Sequence, residues 1–543
     1  MAEETTLKRF EELEEDFGDV YSRMDSDKGL YDLEAFTLEN ADDRAIPGAY
    51  NVTSSKPRTF ADRVAGALGS GKMQITVERN GKTDDRCHAI EQFLSWWYKV
   101  IDTWLSVLHH PPLLEILSGQ IALRGRIAGV CYPYEHEGFC IPGVLPWDTR
   151  YVAYEVGRSG LSLAGYRTTR TKRMIEEEYT TEAAPVTIDA EEAEVSDIWT
   201  PDQHEVWAGS TVIHSAAHGL GYTPVIVHEC PAAVWHRDSD YLEDSGESVY
   251  AALRDIYPEW NRLLSILNTL TMRAFTNSMQ FKNPLGPQAD LGDGNFQEDN
   301  TVYSIDKDAS FESMPLNDIK QATMLLQQIL DQEITFASLP LMEYGDMSTD
   351  ETVAQITTKS AKTQSLLKPR RRAIEMFYDD LGWMLLQQVR EGNLPNQVKL
   401  KGRIMQMPQA DLSEEYTIEH ALSIVTPQQD IANYALAGAA SAFMDSLTIL
   451  EKIIRADDPT GIIEAKDRED IERLVPKRKL LREALRLLES KDDTEYAEGV
   501  LLALELGLNP EALAQGDVEG GSDALQEGQA PVKPNPSMLP RLV

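Results

Sequence analysis

The sequence predicts an α+β fold in which a β-rich block is followed by long helices. Three observations carry this expectation. Between residues 119 and 235, short alternating runs are separated by Gly, Pro and Asp, the pattern of a mostly antiparallel sheet region. Val249, Leu253, Ile256, Trp260, Leu263, Leu267, Leu270 and Ala274 step by fours and threes, a narrow apolar seam of the kind helices turn toward other helices. A long helical pattern from Thr352 to Arg390 crosses Pro369, so a bent helix is expected there.

Taken in order, residues 1–60 read as an acidic helix from Leu7 to Phe17 followed by an irregular stretch rich in Asn, Asp and Pro. A second helix is expected from Thr59 to Leu68. In AIEQFLSWWYKVIDTWLSVL, residues Ile90, Phe93, Trp97, Ile101, Trp104 and Leu108 recur at helical spacing, and Pro111-Pro112 must end that helix. IALRGRIAGVCY, TRYVAYEV, LSLAGYRTT, STVIHSA and TPVIVHE read as strands; the acidic segment 173–203 reads as an exposed excursion or a strand pair with a loop. Pro258 lies inside the seam, which predicts either a kink or a helix that starts anew. A breaker-rich stretch (282–300) and a strand-like TVYSID follow. Then comes a helix capped by Asn317, with Ile319, Leu326, Ile329 and Phe336 on one stripe. QVKLKGRIMQM and YTIEHALSIV read as strands, residues 428–508 as largely helical, and the Gly-, Pro- and acid-rich end as a polar tail that would be disordered alone.

Composition narrows the function. Hydrophobic residues make up 42% and charged residues 26%, which suits a folded soluble protein. No apolar run reaches about eighteen residues, and the acidic N-terminus lacks the basic start of a secretory signal, so neither a membrane span nor export is expected. Cys87, Cys131, Cys140 and Cys230 form no CxxC pair, which favours reduced thiols over a disulfide scaffold or a zinc site. With 51 Lys and Arg against 89 Asp and Glu, the formal charge of −38 argues against tight wrapping of DNA. It suits simple solubility, or a surface past which DNA slides without being gripped.

Two motifs invite chemistry. Gly66 to Lys72 has the GxxxxGK spacing of a phosphate-binding loop, yet Met73 stands where Ser or Thr would hold magnesium, and the loop is expected after a helix and before a strand. His214, His218, His228 and His236 suggest a metal, but Ser215 replaces the glutamate of a zincin, and in a strand i and i+4 lie roughly 13 Å apart. No catalytic residue, cofactor or metal is therefore expected. The basic run Lys368, Arg370, Arg371 and Arg372 has two readings: a solvated face balanced by Glu375 and Asp379, or a contact with phosphates.

The order of these parts resembles the portal proteins of tailed double-stranded-DNA bacteriophages. Local stretches do so too: LPWDTRYVAYEVGRSGLSLAGY, HGLGYTPVIVHE, SGESVYAALRDIYPEWNRLLS, ASLPLMEYGDMSTDETVAQ and LAGAASAFMDSLTILEKIIRADDP. The likeness covers about 45–475 and contains no catalytic signature; the clip-like insertion is small, and the extreme ends match nothing in the family. It implies a peripheral N-terminal segment (1–60), a wing (61–243), a first stem helix (244–281), a clip (282–316) and a second stem helix (317–340). A tunnel loop (341–351), a kinked wing helix with strands (352–427), a helical crown (428–508) and a polar tail (509–543) complete the expected portal-like architecture.

By that resemblance the chain forms a closed ring of about twelve copies at one capsid vertex, assembled in the host cytoplasm. The seam Val249, Leu253, Ile256, Trp260, Leu263, Leu267 and Leu270 would face neighbouring subunits. Met342, Glu343, Tyr344, Asp346, Asp350 and Glu351 would line the DNA channel. Partners would be viral double-stranded DNA, the terminase large subunit, a head–tail adaptor, and the major capsid and scaffolding proteins. The competing expectations are another head–tail connector or scaffold-type oligomer, and a P-loop NTPase.

Overall fold

The computed structural model describes residues 5–79, 85–158, 160–180, 190–231, 241–275, 279–282, 310–313, 320–339, 353–391, 394–400, 402–406 and 416–424. Beyond 426 it describes 434, 437–438, 440–454, 462–463, 466, 470, 473, 480 and 500–504. The chain divides into two units, Met1–Thr426 and Pro427–Val543. The tunnel-loop residues Met342, Glu343, Tyr344, Asp346, Asp350 and Glu351, the Asn317 cap, Ile319, the TVYSID segment, His236 and the polar tail lie outside the described residues.

The fold is α+β. The first unit opens with α1 (Thr6–Asp16) and α2 (Gly18–Asp32). α2 replaces the irregular stretch expected after the first helix. Its sequence, GDVYSRMDSDKGLYD, is broken up by Gly, Ser and Asp, so its buried side Val20, Tyr21, Met24 and Asp27 makes only a weak periodic signal. Both helices cover one face of a five-stranded antiparallel sheet of order β10-β9-β8-β7-β6. Its strands are β6 (Val152–Gly157), β7 (Gly160–Thr171), β8 (Glu192–Trp199), β9 (Gln203–Ala208) and β10 (Thr211–Ala217). Phe10, Phe17 and Met24 pack there with Ala153, Leu163 and Ile198. The fit depends on Gly165: a Cβ there would stand 2.4 Å from the Phe10 ring. Segment 173–203, expected as an excursion or a strand pair, instead begins with helix α6 (Lys172–Tyr179), whose Ile175 is buried, before β8.

The other face of that sheet meets a three-stranded sheet of order β11-β2-β5, formed by β2 (Arg126–Cys131), β5 (Val144–Trp147) and β11 (Val225–Glu229). Trp147 stacks on Tyr166 at 5.2 Å and 11° at this junction. A small hairpin, β3 (Tyr134–His136) with β4 (Phe139–Ile141), lies between β2 and β5. Only the second half of IALRGRIAGVCY is a strand; Ile121–Leu123 ends helix α5 (Leu113–Leu123), because Ile121 and Ala122 complete an apolar helical face with Leu113 and Leu117.

The main core is helical. It joins α3 (Lys56–Gly69), α4 (Asp85–Val107), α5 and α10 (Val353–Glu391). On α4, Ile90, Phe93, Leu94, Trp97, Ile101 and Leu105 are buried, and the helix stops before Pro111 as expected. On α10, Phe377, Leu381 and Leu385 are fully covered, and the helix runs through Pro369, which removes one intrahelical hydrogen bond. β14 (Gln397–Leu400) and β15 (Arg403–Gln406) form a hairpin within QVKLKGRIMQM. β16 (Thr417–Ser423) returns to pair with β1 (Lys72–Glu78), Lys72 opposite Ser423 and Glu78 opposite Thr417. His420 ties the return to the core: its Nε2 lies 2.9 Å from the Tyr98 hydroxyl, and its backbone N–H donates to Asp379 at 2.6 Å.

In the second unit, Asp445 caps a short helical turn, α11 (Ser446–Thr448), by accepting from the Thr448 N–H at 3.0 Å; a π-helical turn, Ile449–Ile454, continues it.

Candidate functional site

The sequence points to α8 (Ile256–Phe275) and α9 (Lys320–Ala337), which pack against each other. Between them the described residues include the small antiparallel pair β12 (Met279–Lys282) and β13 (Ser310–Ser313). Pro258 falls in the first turn of α8, where its missing N–H has no intrahelical partner to lose, so the helix starts there instead of kinking.

Seven residues before α8 belong to turns, not to the seam helix, and they are held tightly. α7 (Tyr241–Asp244) leads into a junction gripped by three arginines. Arg126, buried beneath it, donates from Nη2 to the carbonyls of Leu242 (2.8 Å) and Ser245 (3.1 Å). Arg23 of α2 pairs with Glu247 at 3.1 Å. Arg254 makes a two-pronged pair with buried Asp27 of α2, at 2.8 and 3.0 Å, and reaches Glu247 at 2.8 Å. Gly246 permits this approach: a Cβ there would meet the Arg126 side chain at 2.4 Å. Two-pronged carboxylate–guanidinium pairs fix orientation, so this clamp sets where α8 begins.

Four of the seven residues of the expected inter-subunit seam are covered from within the chain. Val249, Leu253, Trp260 and Leu263 are 5%, 0%, 6% and 4% exposed and are covered by this chain's own residues, not held out for a neighbour. The first two precede the helix and pack with Tyr250 and Tyr257 in the main core. Ile256, Leu267 and Leu270 are half-buried. The spacing reports an apolar stripe that begins in the turns before the helix, and its first half is used internally.

α9 behaves in the opposite way. Its inward side is narrow: Ile334 and Thr323 are buried, and Leu330 is partly covered. Lys56 fastens it, pairing with Asp331 at 2.6 Å while its ammonium sits 4.0 Å from the Trp260 ring centre. A recess of about 250 Å³ beside this pair is lined by Lys56, Thr59, Tyr257, Asp331 and Ile334. Met324, Leu325, Leu326, Ile329 and Phe336 are 60%, 58%, 46%, 46% and 77% exposed. Leu326, Ile329 and Phe336, the apolar residues that the sequence spaces along this helix, face outward in the chain. Apolar surface concentrated in this way marks a contact site more often than scattered exposure does.

The basic run on α10 divides. Lys368 is exposed. Arg370 is buried, not solvated; it donates to the Leu366 carbonyl at 3.1 Å, and loss of water lowers its pKa. It is thus removed from the set of phosphate contacts. Arg371 and Arg372 pair with Glu375 at 3.3 and 3.7 Å, and buried Glu375 also accepts from the Leu422 N–H at 2.9 Å. Asp379 does not balance the run; it is engaged with His420.

Of the Gly66–Lys72 segment, Gly66–Gly69 form the end of α3, Ser70 and Gly71 the turn, and Lys72 begins β1. Ser70 and Gly71 donate their N–H groups to the carbonyls of Gly66 and Leu68. The loop thus sits at the carbonyl end of a helix, whose partial charge repels phosphate. The histidines have separate partners: His218 meets the Thr200 carbonyl at 2.9 Å, and His228 meets Asp380 at 2.8 Å. His214 lies 5.2 Å, ring to ring, from His204, which stacks on Trp199 at 3.7 Å and pairs with Asp197. Among the described residues no three His, Cys, Asp or Glu side chains are grouped so as to hold a metal, and no helix is long and apolar enough to cross a membrane. The four cysteines are buried free thiols.

No protein-family model matches the sequence, and no curated protein matches it. Among solved structures, a chain from the neck of an empty gene transfer agent (GTA) particle, computed with C6 symmetry, aligns at 13% identity and a TM-score of 0.38, over 72% of this chain and 88% of that one. A chain from the neck of the native GTA particle, computed with C12 symmetry, aligns at 13% identity and a TM-score of 0.38, over 74% and 90%. A chain from the virion of the native GTA particle aligns at 12% identity and a TM-score of 0.37, over 73% and 88%. At these scores the likeness is one of partial backbone course and carries no statement about role.

Proposed function

We propose that the chain is a portal subunit: one copy of a closed ring of about twelve at a single capsid vertex, through which viral double-stranded DNA enters and leaves. The observation that carries this reading is the uncovered apolar stripe of α9, Leu326, Ile329 and Phe336, on a helix whose partner α8 buries Trp260 and Leu263 internally. A ring requires each copy to offer a surface that meets a different surface of the next copy. The α9 stripe supplies one such surface. The reading is supported further by the order of parts, a β-rich block before α8 and α9 and a long helix after them.

In this reading the insertion 282–316 meets the terminase large subunit during filling and a head–tail adaptor afterwards. Capsid and scaffolding proteins surround the ring. The acidic residues Glu343, Asp346, Asp350 and Glu351 repel phosphates and keep DNA mobile, while Met342 and Tyr344 offer apolar contact. Of the basic run, Lys368 remains available for phosphate. The chain itself hydrolyses nothing; the motor's ATP hydrolysis drives translocation. Measurement of the full chain's mass in solution tests the reading. A discrete ring of about twelve copies is expected. Monomers and dimers alone, at high concentration and within capsids, overturn it.

A further inference from the structure

We infer that residues 50–54 form a releasable strap seated on a polar ladder of α8, a conformational device independent of the ring. Three alternate backbone N–H groups of the strap donate to three side chains four residues apart on α8. Tyr50 donates to Thr269 Oγ1, Val52 to Ser265 Oγ and Ser54 to Asn261 Oδ1, each at 2.9 Å. Ser265 also donates back to the Val52 carbonyl at 3.4 Å, and Asn268 Nδ2 lies 3.4 Å from the Tyr50 carbonyl.

The match is metric. Four helical residues advance about 6 Å, and two extended residues advance roughly 6.6 Å, so an extended chain running antiparallel to the helix stays in register for three rungs. The seat reads backbone, not side chains: Tyr50 and Asn51 are exposed, and Val52, Thr53 and Ser54 are only half-covered. Asn51 and Thr53 instead accept from the N–H groups of Leu38 and Phe36, at 3.0 and 2.9 Å, making 36–54 a small clasp of its own.

Release is built into the chemistry of the seat. Asn261, Ser265 and Thr269 are 7%, 0% and 7% exposed beneath the strap, and all three are side chains that water hydrates well. Lifting the strap therefore opens a polar seat to water, with half-covered Val52 as the apolar side chain of the strap itself, whereas lifting a helix of the main core would bare a whole apolar face. Each end of the strap has a position at which the backbone can turn. Gly48 has φ +74° with open space around it, and Ser55 precedes α3 without a side-chain capping bond, while Pro57 and Phe60 hold α3 in the core.

Native-state hydrogen exchange on the full chain tests this. The amides of Tyr50, Val52 and Ser54 should open together, at least about a hundredfold more often than those of β2 at residues 127–130. Ser265→Ala should speed exchange at all three about tenfold and leave 127–130 unchanged. Wild-type strap amides that exchange only as slowly as β2 would show that the strap opens only on global unfolding, and would overturn the inference without any variant. Unchanged exchange in Ser265→Ala would overturn it equally.

Discussion

α8 and α9 are neighbours of similar length with similar apolar spacing, yet they use it differently. α8 satisfies two sides within the chain: Leu253, Trp260 and Leu263 anchor its start in the core, and Asn261, Ser265 and Thr269 receive a backbone strap. Among its described residues α9 keeps Thr323, Ile334 and parts of Leu330 and Ala337 inside, and turns Leu326, Ile329 and Phe336 to solvent. The difference teaches that a periodic apolar stripe states that something will cover it. It does not state whether the cover comes from the same chain.

The sharpest way to break this comparison is to charge the α9 stripe. If the stripe joins copies as proposed, Ile329→Glu with Phe336→Glu should abolish self-association by native mass measurement, while the unfolding midpoint shifts little because both side chains are already exposed. A large loss of monomer stability would instead make the stripe part of an internal contact.

Next in size is the inner side of α8. Leu253→Ala should cost about 2–5 kcal/mol of unfolding free energy, and Trp260→Ala about 3–5 kcal/mol, by denaturant titration. Asp27→Ala belongs in the same class. It removes the two-pronged partner of Arg254, which keeps Glu247 and is partly exposed, so the loss should stay below the roughly 3–5 kcal/mol of an uncompensated buried charge. If any of these three abolished assembly while leaving stability intact, the assignment of α8 to the subunit interior would fail.

Two smaller effects check the core around the helices. Burial pushes the Cys140 thiol up to about 12 and the Cys230 thiol up to about 11, so neither should react with a thiol reagent at pH 8 until the chain unfolds. His214 is the weakest lever. Burial, and then neighbouring His204, lowers its pKa below the ordinary histidine value. The unfolded chain therefore takes up that proton first as pH falls. Stability is full above about pH 6.5 and declines as pH drops through the lowered pKa, and His214→Gln should flatten that decline slightly in urea midpoints.

Much of the fold is legible in the sequence wherever side-chain spacing alone sets local structure. α4 follows from Ile90, Phe93, Trp97 and Ile101, with Pro111 ending it. Pro258 left a kink or a new helix start open, and the second is what α8 shows; the alternation of β6, β7, β10 and β11 is plain in their residues. The Gly66–Lys72 loop could be discounted from Met73 and from its place after a helix, and the geometry of that turn agrees. α2 escaped because its buried side is short and interrupted, and α6 because a single buried residue, Ile175, holds it down. The polar ladder of α8 was present as Asn261, Ser265 and Thr269 at i, i+4 and i+8, but polar spacing acquires meaning only when a backbone is laid along it.

By itself, then, the sequence determined the α+β class, most helices and strands, and which residues form stripes, because those depend on steric and hydrophobic periodicity within a few turns. Only the tertiary structure decided that Arg370 is buried while Arg371 and Arg372 share Glu375, that β16 returns to β1, that the first half of the α8 seam faces inward, and that the α9 stripe faces out. Burial is a property of what else arrives at a surface. For these residues the arriving groups come from distant parts of the chain, and no local pattern records them.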